Sequence, residues 1–287
     1  MPQARVGVIG GSGLYEMEGL QDVEEVRVST PFGDPSDAIM IGSLEGQDIA
    51  FLPRHGRGHR ISPTELPSQA NIYALKSLGV EYIIAISAVG SLKEEICPLD
   101  LVIPDQIIDR TRSRPNTFFG RGLVAHVGFA DPFCPTLRQL LCQSAQETGA
   151  TVHPQGTYVV MEGPFFSTKA ESFLYRSWGA SVIGMTALPE AKLAREAEIC
   201  YATLACATDY DCWHESHETV TIDMVISNLQ RNVDTAKKII RSTISQIPQE
   251  RDCSCSTALE NSIITASDLI PPQVKKDLEL LIEKYIQ

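Results

Sequence analysis

An α/β protein with one central, largely buried sheet is the fold this sequence predicts, and three observations predict it. Apolar, β-rich runs alternate with stretches whose apolar residues recur at helical spacing. Several of the runs are apolar throughout, as strands covered on both faces are. Glycine and small polar residues gather where the runs end. The expected architecture is a single domain over residues 1–287, with a central mixed β-sheet flanked by helices.

Taken in order, residues 5–9 form the first expected strand and residues 47–53 the second. Residues 68–78 carry apolar residues at helical spacing and stop at Gly79. Strands are expected at 82–87 and 101–105. Residues 135–148 read as a helix, with Pro135 in the first turn and Gly149 just past the end. After a strand at 157–161 comes a helix at 168–178, opened by a Thr168–Glu171 capping box. A strand at 181–184, a helix at 189–198 with Pro189 early, and a strand at 199–208 follow. A longer helix at 222–240 places Ile222, Val225, Ile226, Leu229, Val233 and Ile240 on one face. Residues 249–266 break the pattern with charged, Ser-, Thr- and Cys-rich sequence. Pro271 and Pro272 then start a last amphipathic helix, with Val274, Leu278, Leu281, Ile282 and Tyr285 apolar. Residues 248–287 read as a C-terminal appendage whose stripe packs on its own core or on a neighbouring subunit.

Composition bounds the function. With 43% hydrophobic residues in 287, the chain can build a sizeable core. There are 24 Lys and Arg against 36 Asp and Glu, a net charge of −12. That balance argues against nucleic acid or an anionic membrane as partner, while leaving room for a local phosphate site. No apolar run is long enough to span a bilayer, and the start lacks the pattern of a secretory signal. A soluble, cytoplasmic protein is the expectation. The eight cysteines include no C-x-x-C pair and no Cys/His set at zinc spacing. Free thiols in a reducing compartment, and no metal, are expected.

In open α/β sheets ligands bind beyond the carboxyl ends of strands, so the residues there are the candidates. The first strand ends in Gly10-Gly11-Ser12-Gly13. A dinucleotide fingerprint would need glycine where Glu16 stands, so the loop fits either a plain turn or a single small anion. The second strand ends in Arg54-His55, a guanidinium fork beside an imidazole. Arg–phosphate bonds are charge-assisted and contribute roughly 1.5–3 kcal/mol each. Ser87 and Thr186 add hydroxyls, and Thr186 precedes a helix whose free amides favour an anion. Together these signals point to inorganic phosphate. Asp209 and Asp211 stand two apart at the end of an apolar strand and would face one way in extended chain. They read either as an Asx-turn pair or helix cap, or as a desolvated acid beside a carboxylate able to hold an exocyclic amine; a metal site there would lack a further ligand cluster.

The segments VGVIGGSGLY, TPFGDPSDAI, PRHGRGHRISPTE, NIYALKSLGV, SAVGSLKEEI, MEGPFFST, GMTALPEAKLAREAEICYA and ATDYDCWH closely resemble the 5′-methylthioadenosine phosphorylases. These belong to the trimeric class of the purine nucleoside phosphorylase family. The resemblance runs from about Val6 to about Ile247. It implies a nucleoside phosphorylase fold, a homotrimer, and phosphorolysis of methylthioadenosine without metal or organic cofactor. It implies a phosphate site of Ser12, Arg54, His55, Ser87, Ala88 and Thr186. It gives Met185 to the ribose, Phe166 to base packing, and Asp209 to protonation of the purine at N7, with Asp211 near the exocyclic amine. Ile222, Val225 and Ile226 lie at its methylthio pocket, and His126 reaches toward a neighbour's site. Relatives selective for 6-oxopurines carry Glu near Ser167 and Asn near Asp209, so Ser167 and Asp209 imply a 6-amino base. Phe165 departs from the family pattern of Arg or Gln, and Ser12 and Ser87 replace Thr of some relatives. Some relatives also carry a C-x-C element like Cys253–Cys255. The rival readings are a methylthioinosine or 6-oxopurine nucleoside phosphorylase, a nucleosidase using water, and a non-catalytic nucleoside-binding module. The broken glycine fingerprint disfavours a dehydrogenase.

Overall fold

Strands that bury both faces organise this molecule. The computed structural model describes residues 3–11, 14, 17–214 and 222–286, without the side chains of 222–225 and 229. In chain order the elements are β1 (Val6–Gly10), β2 (Gln21–Val26), β3 (Ile39–Leu44), β4 (Gln47–Pro53), α1 (Ser68–Ser77), β5 (Tyr82–Ser91), β6 (Leu101–Val102) and β7 (Gln106–Arg110). They continue with α2 (Pro135–Glu147), β8 (Val152–His153), β9 (Thr157–Met161), α3 (Lys169–Ser177), β10 (Val182–Gly184), α4 (Ala187–Glu196), β11 (Cys200–Asp209), α5 (Ile222–Gln246) and α6 (Pro272–Ile282).

One mixed sheet of 11 strands joins them among the described residues. Its middle is parallel: β1 pairs with β4 and β5, and β11 runs beside β5. The antiparallel pairs lie outside that middle, β2 on β3 and β3 on β4 at one edge, β10 on the end of β5, and β6 on β11. Side chains alternate between two apolar layers, as strand geometry requires. Ile83, Ala85 and Val89 of β5 join α1, α4 and α6 on one face. Tyr82, Ile84 and Ile86 join α2 and α5 on the other. This is the expected α/β architecture. Because β1, β4, β5 and β11 are parallel, their carboxyl ends open on one side, and the candidate residues lie there.

The differences from the sequence reading have local causes. Strand β5 continues to Ser91, where β10 pairs with its end. The strand expected at 101–105 is two residues long, and β7 begins at Gln106. The β3–β4 hairpin turns on Glu45 and Gly46, both at positive φ, a two-residue turn that the sequence reading missed. Helix α4 starts at Ala187 but is interrupted at Leu188, which is extended. Helix α5 runs on to Gln246. The Thr168–Glu171 capping box forms, with Thr168 Oγ1 accepting from the Glu171 amide at 3.2 Å. The stripe of α6 packs on the chain's own core through Val274, Leu278, Leu281 and Ile282.

The loop after β7 is pinned to α4 by a buried carboxyl. Glu196 accepts from Thr117 Oγ1 and from the Phe118 amide, each at 2.7 Å. Burial outweighs these bonds and pushes the carboxyl from 4.5 up to about 7. Glu196 thus holds its proton more tightly folded than unfolded. The resulting stability is complete below the ordinary glutamate value and is lost as pH rises toward 7. We expect denaturant unfolding to show wild type losing stability relative to Glu196→Gln across that window, by no more than about 3 kcal/mol. A gap that stays constant or widens in wild type's favour contradicts this.

Candidate active site

Arg54, the first residue after β4, is almost fully buried. Its Nε and Nη2 grip both carboxylate oxygens of Glu190, at 2.5 and 3.1 Å. Its Nη1 donates to the Ile86 carbonyl of β5 at 2.7 Å. Burial alone would loosen the guanidinium proton, and the Glu190 carboxylate more than offsets it. The fork expected to face an anion is therefore spent mostly on protein groups. It supplies a fixed positive charge and few free N–H groups. Beside it His55 Nδ1 lies 2.8 Å from the Ile61 carbonyl. A carbonyl only accepts, so Nδ1 carries hydrogen and Nε2 is an acceptor when the ring is neutral. Burial, aided by Arg54, lowers His55 to about 4. A neutral His55 can thus accept from a protonated oxygen of an anion.

The two hydroxyls predicted from separate segments meet. Ser87 Oγ and Thr186 Oγ1 are 2.8 Å apart. Ala88 follows Ser87 on β5, half-buried. Thr186 lies just ahead of α4, but the Leu188 interruption separates it from the regular helix, so the helix amides are not its immediate neighbours. Ser12 lies outside the described residues.

The carboxylates sit at the end of β11, whose register partner for Asp209 is Gly90 of β5. Asp209 is 7% exposed. Its Oδ2 accepts from Thr208 Oγ1 at 2.7 Å and its Oδ1 from the Asp211 amide at 2.8 Å. Burial raises its pKa, partly opposed by those two bonds. The expectation that Asp209 and Asp211 face one way in extended chain is corrected. The strand stops at Asp209, and Asp211 has a φ of 52°. The Asx turn and the desolvated acid, weighed as alternatives, coexist. Burial also raises Asp211, which the nearby Ser172 hydroxyl opposes and Asp209 reinforces. A Cβ on Gly90 would come to 3.0 Å from Asp209 Oδ1 and 3.2 Å from Asp211 Cβ, so glycine leaves the carboxyls their space. Asn228 and Asn232 of α5 donate to the carbonyls of Thr208 and Ala207 and hold that helix against the strand end.

Met185 follows β10 and reaches Gly163, where a Cβ would meet its sulfur at 2.6 Å. Ser167 is tied to the Asp211 loop, its carbonyl 3.3 Å from Cys212 Sγ. Phe166 is 54% exposed and Phe165 86%. Ile226 on α5 is also exposed, and the side chains of Ile222 and Val225 lie outside the description. His126 lies on another loop, its own amide donating to the Ser262 carbonyl at 2.9 Å.

Four contributors escaped the sequence reading. Glu190 could have been noticed as a carboxylate in an otherwise apolar helix start. Arg114 spans the ends of β9 and β10, donating to the carbonyls of Met161, Glu162, Met185 and Leu188, and so fixes Met185. Ser172 faces Asp211 from α3. Tyr158 is fully buried on β9, and its hydroxyl has no hydrogen-bond partner among the described residues. Gly184 makes room for that hydroxyl. Nothing local in the sequence marks the last three. A groove of about 660 Å³ lined by Arg27, Asp34, Asp37, Arg60 and Glu65 adjoins the end of β4: its Ser36 donates to the Pro53 carbonyl, and its Ile61 carbonyl accepts from His55. Its Asp37 is occupied by Arg57 and Arg60.

Residues 5–245 match the Phosphorylase superfamily. The S-methyl-5′-thioadenosine phosphorylase of Geobacter sulfurreducens is 60% identical, with 98% of this chain and 99% of that one covered. That of Thermosynechococcus vestitus is 58% identical, with 99% of each covered. A methylthioadenosine phosphorylase crystal structure from an antarctic soil metagenomic library superposes with a TM-score of 0.94 at 48% identity, covering 98% and 99%. The Schistosoma mansoni methylthioadenosine phosphorylase in complex with adenine gives 0.83 at 34% identity, covering 97% and 98%. The chain belongs to the phosphorylase superfamily and, within it, to the S-methyl-5′-thioadenosine phosphorylase family.

Removing one member of a buried ion pair strands the other. Glu190→Gln is therefore expected to cost about 3–5 kcal/mol in denaturant unfolding. A loss under about 1 kcal/mol would show that Arg54 does not depend on it.

Proposed function

We infer that the chain is a pentosyltransferase that phosphorolyses 5′-methylthioadenosine to adenine and methylthioribose-1-phosphate. One observation carries the mechanism. The Ser87–Thr186 hydroxyl pair and the desolvated Asp209 share one strand, β5, through Ser87 and the Gly90 register partner of Asp209. Three residues of strand separate them by about 10 Å. That span seats a phosphate on one side of a ribose and a purine on the other.

Breaking the glycosidic bond develops positive charge on the sugar and negative charge on the base. Phosphate, held by Ser12, Ser87, Ala88, Thr186 and His55 in the field of Arg54, supplies the nucleophile. Its oxygen forms the new bond to the sugar as the bond to the purine breaks. Asp209, whose burial makes it hold a proton more tightly than a free carboxyl, is the acid toward purine N7. Asp211 accepts from the exocyclic amine. Met185 touches the ribose, Phe166 packs on the base, and Ile222, Val225 and Ile226 line the methylthio pocket. Ser167 and Asp209 favour a 6-amino base. Phosphate is a co-substrate, and no metal or organic cofactor enters the reaction. Neither nucleic acid nor membrane is a partner; among the described residues no helix is long and apolar enough to cross a membrane.

We further propose a cytoplasmic homotrimer in which His126 reaches a neighbour's site. The resemblance supports the trimer, as does the exposed apolar surface of Phe165, Phe166, Phe173 and Trp178.

Product analysis with methylthioadenosine, methylthioinosine and adenosine, with and without inorganic phosphate, tests the reaction. Phosphate-dependent adenine release, strongest from methylthioadenosine, is expected. Release without phosphate indicates a nucleosidase, and no release a binding module. Asp209→Asn should lose about 10²- to 10⁴-fold in kcat while still binding phosphate; near-normal turnover removes the acid role. Adding Ser167→Glu to Asp209→Asn should raise the ratio of kcat/KM for methylthioinosine over methylthioadenosine. An unchanged ratio contradicts the reading of base selectivity.

A further inference from the structure

Cysteines from three distant parts of the chain meet in one place. Cys134 caps the start of α2, Cys200 begins β11, and in the segment after α5 Cys253 caps a short 3-10 turn that contains Cys255. Their four sulfurs all lie within 4.8 Å of one another. Cys253 Sγ is 3.7 Å from Cys134 Sγ and 3.3 Å from Cys200 Sγ, although these residues are 119 and 53 positions away. Zinc–sulfur bonds of about 2.3 Å in a tetrahedron put sulfurs about 3.8 Å apart. The spacing therefore suits a single ion, and it is too tight for a polynuclear cluster. Cys134, Cys200 and Cys255 are buried and Cys253 is half-buried, so solvent is largely excluded.

The surroundings add an independent sign. Tyr82 is the register partner of Cys200 on the adjoining strand β5. Its hydroxyl is buried without a hydrogen-bond partner among the described residues. The Arg5 guanidinium lies over the Tyr82 ring, 5.4 Å from its centre, and Arg5 Nη1 is likewise buried and unpartnered. An unsatisfied buried hydroxyl on the strand next to apolar thiols is costly, whereas a thiolate set gives it an acceptor and gives the Arg5 guanidinium a nearby charge to balance.

We propose that Cys134, Cys200, Cys253 and Cys255 form a tetrahedral site for one zinc ion that clamps the C-terminal segment to the core. Binding releases the four thiol protons to solvent and oxidises nothing. Thiolate softness selects zinc over hard cations. Cys200 and Asp209 occupy opposite ends of a ten-residue strand, about 30 Å apart, so the ion holds the fold and takes no part in the chemistry. The free energy of metal binding becomes folding free energy for the residues it joins. Arg5 already ties the same segment down, donating to the carbonyls of Pro248 and Gln249 at 2.7 and 2.6 Å.

The test is metal analysis of the full chain, made without a histidine tag in zinc-supplemented medium and purified without chelator. One zinc per chain is expected, retained in Cys97→Ser and lost in the Cys253→Ser, Cys255→Ser double variant. Should that variant not fold, cobalt exchanged into wild type reads the same site. The intense sulfur-to-metal bands of a tetrahedral cobalt thiolate support it, and their absence overturns it. Zinc removal should lower Tm while leaving kcat of the folded enzyme unchanged. Background zinc in the metal-replete protein overturns the proposal, whether the thiols are free or peptide mapping finds them joined in disulfides.

Discussion

The pairing of Arg54 with Glu190 is the constraint on which the rest of the site depends. A guanidinium at the end of a buried strand has no water to solvate it, so a carboxylate must be brought to it. Glu190 arrives from the start of α4, and Tyr201 of β11 donates to its Oε2 at 3.0 Å. The Ile86 carbonyl takes a further Arg54 hydrogen at 2.7 Å. This one cluster locks β4, β5, α4 and β11 together at their shared end. It thereby sets the distance between Ser87 on β5 and Thr186 ahead of α4. Such a pair contributes little net stability over an apolar substitute, yet it is costly to break. Its value lies in geometry and in the positive field it leaves under an anion.

The opposite problem is solved at Asp209. There a carboxyl is buried without a cation among its described hydrogen-bond partners, and among the described residues Thr208 and the Asp211 amide bond to it. Desolvation then raises its pKa. One strand end thus offers a fixed positive charge and the neighbouring one a proton donor. The same sheet produces both by choosing which charges to pair. Gly90 between them keeps the backbone low enough for the carboxyls to turn inward.

Much of this was legible in the sequence, and the reasons for the remainder are physical. Strands such as β11, buried along all ten residues, announce themselves as largely apolar runs. The hydroxyl, guanidinium and carboxylate residues of the site follow those runs directly, so the sheet rule located them. Arg114, Ser172 and Tyr158 act across the fold, on partners far away in sequence, and no local pattern records such contacts; Glu190 stands out as a carboxylate in an apolar helix start, but its pairing with Arg54 does not. The four cysteines failed to read as a set for the same reason. Their spacing carries no metal motif, and only the docking of the C-terminal segment joins them. Asp211 was misjudged because strand alternation was carried past the point where the chain turns.

Fixed charge at the phosphate end and a proton held at the base end are the central claim, and the pH dependence of kcat/KM tests the second half directly. With methylthioadenosine at saturating phosphate, the rate should fall on the alkaline side, with an apparent pKa above the ordinary aspartate range. That limb should vanish in Asp209→Asn. An alkaline limb that persists unchanged in the variant, or no limb in wild type, would contradict the account.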